Sequence, residues 1–179
     1  MPLRFPQMDP LFEFALLVKA IQRELERRIN ESMRPLGLTG PQADALVIIG
    51  QAGPISLKEL GELLIAEAGH PSRLVDRLVE AGLVEREEAG EDRRRVELSL
   101  TPRGRRLEKR ILVARQGVLD LARGLVGERD IGPTLELLRE FVQYTTYAEL
   151  LDRRRELQAR ASGPAPEPRR GRRGRAYHR

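Results

Sequence analysis

The 179-residue sequence predicts a mainly α-helical fold with one small β-hairpin. Three observations carry that prediction. Apolar residues recur every three to four positions through six stretches, and capping residues or prolines mark where those stretches begin. A single pair of short segments, Leu83 to Glu87 and Arg95 to Leu100, shows partial apolar/polar alternation about a glycine-containing connection.

Asp9 and Pro10 read as the N-cap and first residue of a long helix, in which Phe14, Leu17 or Val18, Ile21, Leu25 and Ile29 form an apolar stripe reaching about Met33. Arg34-Pro35 favours an exit from helix, after which Thr39 caps a second helix holding Ala43, Leu46, Val47 and Ile49. Ser56 with Glu59 three residues later is a capping-box pattern for a short third helix carrying Leu57, Leu60, Leu63 and Leu64. Ala66 to His70 breaks it. Pro71 then suits the first position of a fourth helix, capped by His70, with Leu74, Val75, Leu78 and Val79 on its apolar stripe and Gly82 as its stop. This is a helix, a turn and a helix, followed by the hairpin, whose Gly90 permits the reversal. Thr101-Pro102 opens a fifth helix through Leu107, Ile111, Ala114, Val118 and Leu121. Gly132-Pro133 opens a sixth, expected to run through Leu138, Phe141, Thr145, Ala148 and Leu151.

The expected organisation is one compact domain over 1–162 and a basic tail over 163–179, with no internal repeat. The tail is rich in Gly, Pro and Arg and has no core to bury, so it is expected to be disordered. It holds six arginines against Glu167, so the formal net charge of +5 lies entirely within it and 1–162 is neutral overall. Net charge therefore says nothing about what the folded part binds, although the tail's arginines suit sequence-independent contact with phosphates. The sequence has no cysteine and two histidines far apart, His70 and His178, which disfavours thiol redox sensing and a histidine metal cluster. No apolar run has the length of a membrane span and no signal sequence is evident, so a cytoplasmic protein without membrane contact is expected.

Local charge placement points to nucleic acid. The major groove of DNA, about 12 Å wide, admits one helix braced by a neighbour. On the fourth helix Leu74, Val75 and Leu78 form the buried side, leaving Ser72, Arg73, Asp76 and Arg77 on other faces. Arginine grips guanine with two parallel hydrogen bonds, which makes Arg73 and Arg77 the candidates for base contact. The plain alternative pairs them with Asp76 or Glu80 at helical spacing on a solvated face. The hairpin tip concentrates Arg93, Arg94 and Arg95 after Asp92, on a ribbon suited to reaching backbone or minor groove; the alternative is an ordinary charged turn.

Three stretches resemble the MarR family of bacterial transcription regulators: Leu38-Thr39-Gly40-Pro41-Gln42-Ala43-Asp44-Ala45-Leu46; Leu57-Lys58-Glu59-Leu60 together with Ser72 to Val84; and Asp92-Arg93-Arg94-Arg95-Val96-Glu97-Leu98-Ser99-Leu100-Thr101-Pro102-Arg103-Gly104. They occur in family order, and the resemblance covers roughly Asp9 to Arg160. It implies a winged helix-turn-helix with long N- and C-terminal dimerisation helices, a homodimer that places two recognition helices on a pseudo-palindromic operator in double-stranded DNA, and a small aromatic effector in the crevice between the dimerisation helices and the winged domain. The implied DNA-binding residues are Ser56, Lys58, His70, Ser72, Arg73, Arg77, Asp92, Arg93 and Arg94. Gly69-His70-Pro71 departs from the family at the start of the recognition helix, where an interior proline would cost about 3 kcal/mol, so that helix is expected to begin late.

The function expected is sequence-specific transcriptional regulation, as a repressor relieved by a small-molecule effector. A winged-helix protein-interaction module without sequence-specific DNA binding is the alternative, because a fold does not fix a function. No glycine-rich phosphate loop, nucleophile elbow or ligand-spaced cluster supports an enzyme, and no cofactor is expected. Phe12, Phe14, Phe141, Tyr144 and Tyr147 read as core or dimer contacts rather than ligand stackers.

Overall fold

The computed structural model describes residues 8–65, 71–88 and 96–162. Helix α1 spans Pro10–Met33 and starts where the Asp9 carboxylate accepts from the backbone N–H groups of Leu11 and Phe12. A short 3-10 turn over Arg34–Leu36 leads to α2 (Gly40–Ala52), whose Thr39 and Gln42 form a reciprocal capping box. A two-residue strand β1 (Ile55–Ser56) precedes α3 (Leu57–Leu63), and the Ser56–Glu59 capping box forms as expected. The fourth helix α4 covers Pro71–Glu80; it is followed by the hairpin strands β2 (Val84–Glu88) and β3 (Val96–Leu100) and by the 25-residue α5 (Pro102–Val126).

The sequence reading misses β1. Ile55 pairs with Leu98 and Ser56 with Glu97, which adds a third strand to the hairpin in the antiparallel order β1-β3-β2. Two residues carry too little alternation to register as a strand; the pairing comes from β3. A second correction concerns the C-terminal region, expected as one helix from Gly132 to Leu151. It is two: α6 (Gly132–Val142) and α7 (Ala148–Ser162). Thr145 ends the first, because its backbone N–H and its hydroxyl both donate to the Val142 carbonyl, at 2.9 and 2.7 Å, while the hydroxyl oxygen accepts from the Tyr147 N–H at 3.2 Å. Local side-chain bonds of this kind compete with continued helix.

The core lies between α2, α3, α4, the sheet and the first turns of α5, where Met33, Leu46, Ile48, Ile49, Leu60, Val75, Leu78, Leu98 and Ile111 are buried. The end of α4 is fixed tightly. Gly82 takes a left-handed φ of 65°, Gly82 N–H donates to Val79 O, and Leu83 N–H reaches back to Leu78 O, the double bond pattern of a glycine-terminated helix. Thr101 knits this terminus to α5: its hydroxyl donates to Gly82 O at 2.8 Å and accepts from Gly104 N–H at 3.0 Å, and its own N–H donates to Leu83 O at 3.1 Å. Arg103 adds a bond to Ala81 O at 3.1 Å. Gly104 is required here by space, since a Cβ would sit 2.0 Å from the Leu83 carbonyl oxygen.

Outside that core the long helices keep apolar faces in the open. Leu11, Phe12, Leu17 and Ile21 of α1, Val113, Leu121 and Leu125 of α5, and Leu135, Leu137 and Phe141 of α6 are all exposed, several by more than half. Phe14 and Phe141 stack with ring centroids 5.4 Å apart, joining α1 to α6. Phe12, Tyr144 and Tyr147 are exposed within the single chain, so they are not core residues. Among the described residues no helix is long and apolar enough to cross a membrane.

Candidate nucleic-acid interface

Helix α4 begins at Pro71, as expected for a proline whose missing N–H falls where a helix has no internal acceptor to satisfy. Its inner side is made by buried Val75 and Leu78 with half-buried Leu74 and Val79 packed against the core. Ser72, Arg73, Asp76 and Arg77 project on the exposed side. The helix is therefore held by one apolar stripe and offers a polar face.

The charge pattern on that face differs from simple helical pairing. Asp76 does not neutralise Arg73 or Arg77: it accepts from Arg86 Nη2 on β2 at 2.7 Å. Neither Arg73 nor Arg77 has an ion-pair partner among the described residues. The acidic residue of the polar face is thus engaged by the hairpin, and two cations are left uncompensated beside it. No such arrangement could be read from sequence, because Asp76 and Arg86 lie on different elements.

The remaining sequence-derived candidates divide by position. Ser56 is the N-cap of α3; its hydroxyl accepts from Glu59 N–H at 3.2 Å and donates to the Glu59 carboxylate at 2.5 Å, so it is committed to capping the start of that helix. Lys58 is 87% exposed on α3 and meets Glu62 only loosely, at 3.9 Å. His70 and the wing residues Asp92, Arg93 and Arg94 lie outside the described residues, as does the segment 163–179. The two wing strands that frame the tip are in register from Val84–Leu100 to Glu88–Val96, which fixes where the ribbon leaves the sheet.

A group of side chains that the sequence reading left unassigned sits between the C-terminal helix and the helix-turn-helix. Asp44 of α2 accepts from Arg115 of α5 at 3.1 Å and from both terminal nitrogens of Arg154 of α7, one of them at 3.2 Å. Arg154 Nε donates to Leu63 O, the last residue of α3, at 2.9 Å, and Arg153 pairs with Glu62 at 2.5 Å. The signal was present. Leu150, Leu151 and Leu157 give α7 a half-buried stripe, and Arg154 occupies a position inside it.

Residues 36–95 match the MarR family. The organic hydroperoxide resistance transcriptional regulator of Bacillus subtilis (strain 168) is 27% identical over 120 residues, which is 67% of this chain and 82% of that protein. The uncharacterized HTH-type transcriptional regulator YcgE of the same organism is 34% identical over 108 residues, 60% of this chain and 67% of the relative. Among solved structures, a mutant MarR from Escherichia coli complexed with operator DNA superposes with a TM-score of 0.53 at 25% identity, covering 87% of this chain and 98% of that one. The three-stranded sheet packed on α2 to α4, the long flanking helices and these likenesses agree, and the chain belongs to the MarR family.

Proposed function

We propose that the protein is a homodimeric transcriptional repressor that binds a pseudo-palindromic site in double-stranded DNA through α4 and the hairpin tip, and that a small aromatic effector relieves repression. The observation that carries the reading is the uncompensated pair Arg73 and Arg77 on the exposed face of α4, with the one acid between them drawn off by Arg86. Arginines so placed are free to meet guanine edges or phosphates. The likeness to a MarR solved with operator DNA supports the same assignment. Ser72 on that face, His70 just before it in sequence and Lys58 on α3 are assigned to the phosphate backbone, Ser56 to capping the start of α3, and Asp92, Arg93 and Arg94 to the minor groove and its rim.

The exposed apolar faces of α1, α5 and α6 support the dimer. A lone chain would leave them in water, whereas a two-fold partner buries them and sets two recognition helices about 34 Å apart, one turn of DNA. For the effector, an open depression of about 610 Å³ between the end of α1 and the start of α2 has the volume of a drug-sized site. It is lined by Arg27, Asn30, Glu31, Arg34, Leu38 and Thr39; Arg27 is already paired with Glu24 and Glu31, which leaves Arg34 to meet an acidic ligand. The absence of cysteine in the sequence removes thiol oxidation as the signal.

The test is a binding selection on genomic fragments with purified protein, repeated with aromatic acids present. Enrichment of a two-fold-related sequence, lost on Arg73→Ala or Arg77→Ala and steeply weakened by salt, is expected. Binding that ignores sequence and survives both substitutions would overturn the assignment.

A further inference from the structure

The Asp44, Arg115 and Arg154 group joins the C-terminal helix to the part of the fold that aims α4. All three side chains are about three-quarters or more shielded from solvent, with exposures of 22%, 25% and 20%. The sequence separations are 71 residues for Asp44 to Arg115 and 110 for Asp44 to Arg154, so the group exists only in the folded chain. Every nitrogen of the Arg154 guanidinium is used: the two terminal ones form a fork on Asp44 and Nε donates to the Leu63 carbonyl. That carbonyl belongs to the last turn of α3, where backbone acceptors have no helical donor and a cation is favoured by the helix dipole. A planar guanidinium can serve two acceptors in fixed directions; an ammonium cannot.

From the end of α3 the contact continues to the recognition helix. Gly61, two residues from the end of α3, is the seat of Pro71, the first residue of α4: a Cβ at Gly61 would lie 3.3 Å from Pro71 Cγ. The last turn of α3 and the first residue of α4 are therefore packed against each other with no side chain between them. This close packing is the route by which a shift at the end of α3 would reach Pro71, and with it the direction from which Ser72, Arg73 and Arg77 are presented.

We propose that Arg154 is a positioning residue for DNA recognition, holding the α3–α4 corner through the Leu63 carbonyl, and that Asp44 holds Arg154 in the orientation this requires. Arg115 adds a second cation to Asp44, donating to Oδ1 at 3.1 Å. The proposal rests on the reading of α4 as the DNA-recognition helix and assigns control of its angle to the C-terminal helix of the same chain.

The variants are Arg154→Lys, which keeps the charge but loses the fork, and Asp44→Asn, which keeps the shape but loses the charge. Arg155→Lys serves as control, since Arg155 pairs with Asp152 on its own helix. Each full-length variant is titrated with the duplex enriched in the genomic selection and with a scrambled duplex of equal composition, at a temperature where circular dichroism shows native helix content. Loss of one charge-assisted bond at the corner is expected to weaken binding to the enriched duplex about tenfold and to leave the scrambled duplex within about twofold. Equal losses on both duplexes, or no loss on either, overturn the proposal. Amide exchange without DNA separates this from failure of the DNA reading. Arg154→Lys should speed exchange in 57–63 and 71–80 while leaving that of the hairpin strands unchanged, even if no duplex is discriminated, and unchanged exchange at the corner overturns the positioning role.

Discussion

Arg86 of β2 donates through Nη2 to Asp76 of α4 at 2.7 Å, so the hairpin and α4 are joined by an ion pair between two half-exposed side chains. Pairs this open contribute about 0.2–1 kcal/mol to stability. Asp76→Ala and Arg86→Ala should each lower the urea midpoint only slightly, and the double variant should lose less than the sum of the two. Asp76→Ala also removes the acid that lies between Arg73 and Arg77 in sequence and should raise sequence-independent DNA affinity. Additive stability losses in a double-mutant cycle would show that the pair is not coupled.

Gly104→Ala should be severe. The added methyl would meet the Leu83 carbonyl oxygen at 2.0 Å, and that oxygen is backbone already bonded to Thr101 N–H, so neither side can yield cheaply. Overpacking of this kind costs about 1–3 kcal/mol and more where backbone must move. Equilibrium denaturation decides the matter; a wild-type midpoint would mean that α5 can slide away from β2 without cost.

Glu108 lies on α5 against the last turns of α2, where a Cβ at Gly50 would run into its carboxylate. Burial pushes its pKa up from the ordinary carboxylate value, against the opposing pull of Lys109 and Arg105. The folded chain thus favours the protonated form: the stabilisation is complete below the unfolded carboxylate pKa and is lost as pH rises through the raised folded value. Glu108→Gln should melt higher than wild type at neutral pH, and the advantage should shrink as pH falls into the carboxylate range. A difference in melting temperature that is flat from acid to neutral would remove Glu108 from the account.

Arg94→Ala should weaken binding to the selected duplex by about 1–3 kcal/mol if its guanidinium enters the minor groove, and Asp92→Ala should lose part of the same energy because residues two apart on a ribbon face one side. A cycle of the two single variants and the double on one duplex measures that overlap. Full-strength binding by Arg94→Ala removes the tip from the interface.

Sedimentation equilibrium should give about twice the 20.3 kDa chain mass in dilute solution. Leu121→Glu on the exposed side of α5 should push the mass toward one chain, because a buried charge in an apolar interface is costly. A concentration-independent mass of one chain for the unmodified protein rules out the dimer.

What could be read from the sequence was whatever neighbours in the chain determine. The Thr39 cap, the Ser56–Glu59 capping box, proline at the start of α4 and the glycine stop at Gly82 are local features set by residues a few positions apart, and each forms as expected. The failures are those of residues whose partners lie far away or whose local chemistry runs against the periodicity. Ile55 and Ser56 become a strand only because Leu98 and Glu97 pair with them. Thr145 ends α6 although the apolar period runs on through it, since its hydroxyl binds the preceding turn. Of the proposed interface, the face of α4 was legible from its stripe, whereas the choice of Arg86 over Arg73 or Arg77 as the partner of Asp76 depends on the distance between two elements.

The bonds that gather at Thr101 have a mechanical consequence. With Gly82, Leu83 and Gly104 all fastened to one residue, and Arg103 fastened to Ala81, the end of α4, the base of the hairpin and the first turn of α5 have no soft joint between them. The three are bonded as one arm. Twenty-five helical residues make α5 about 37 Å long, so a tilt of about 5° at its far end swings the near end by about 3 Å, comparable to the spacing of successive base pairs. If α4 and the hairpin meet DNA as proposed, torque applied where the long helices meet would reach the groove as a rotation of that bonded unit.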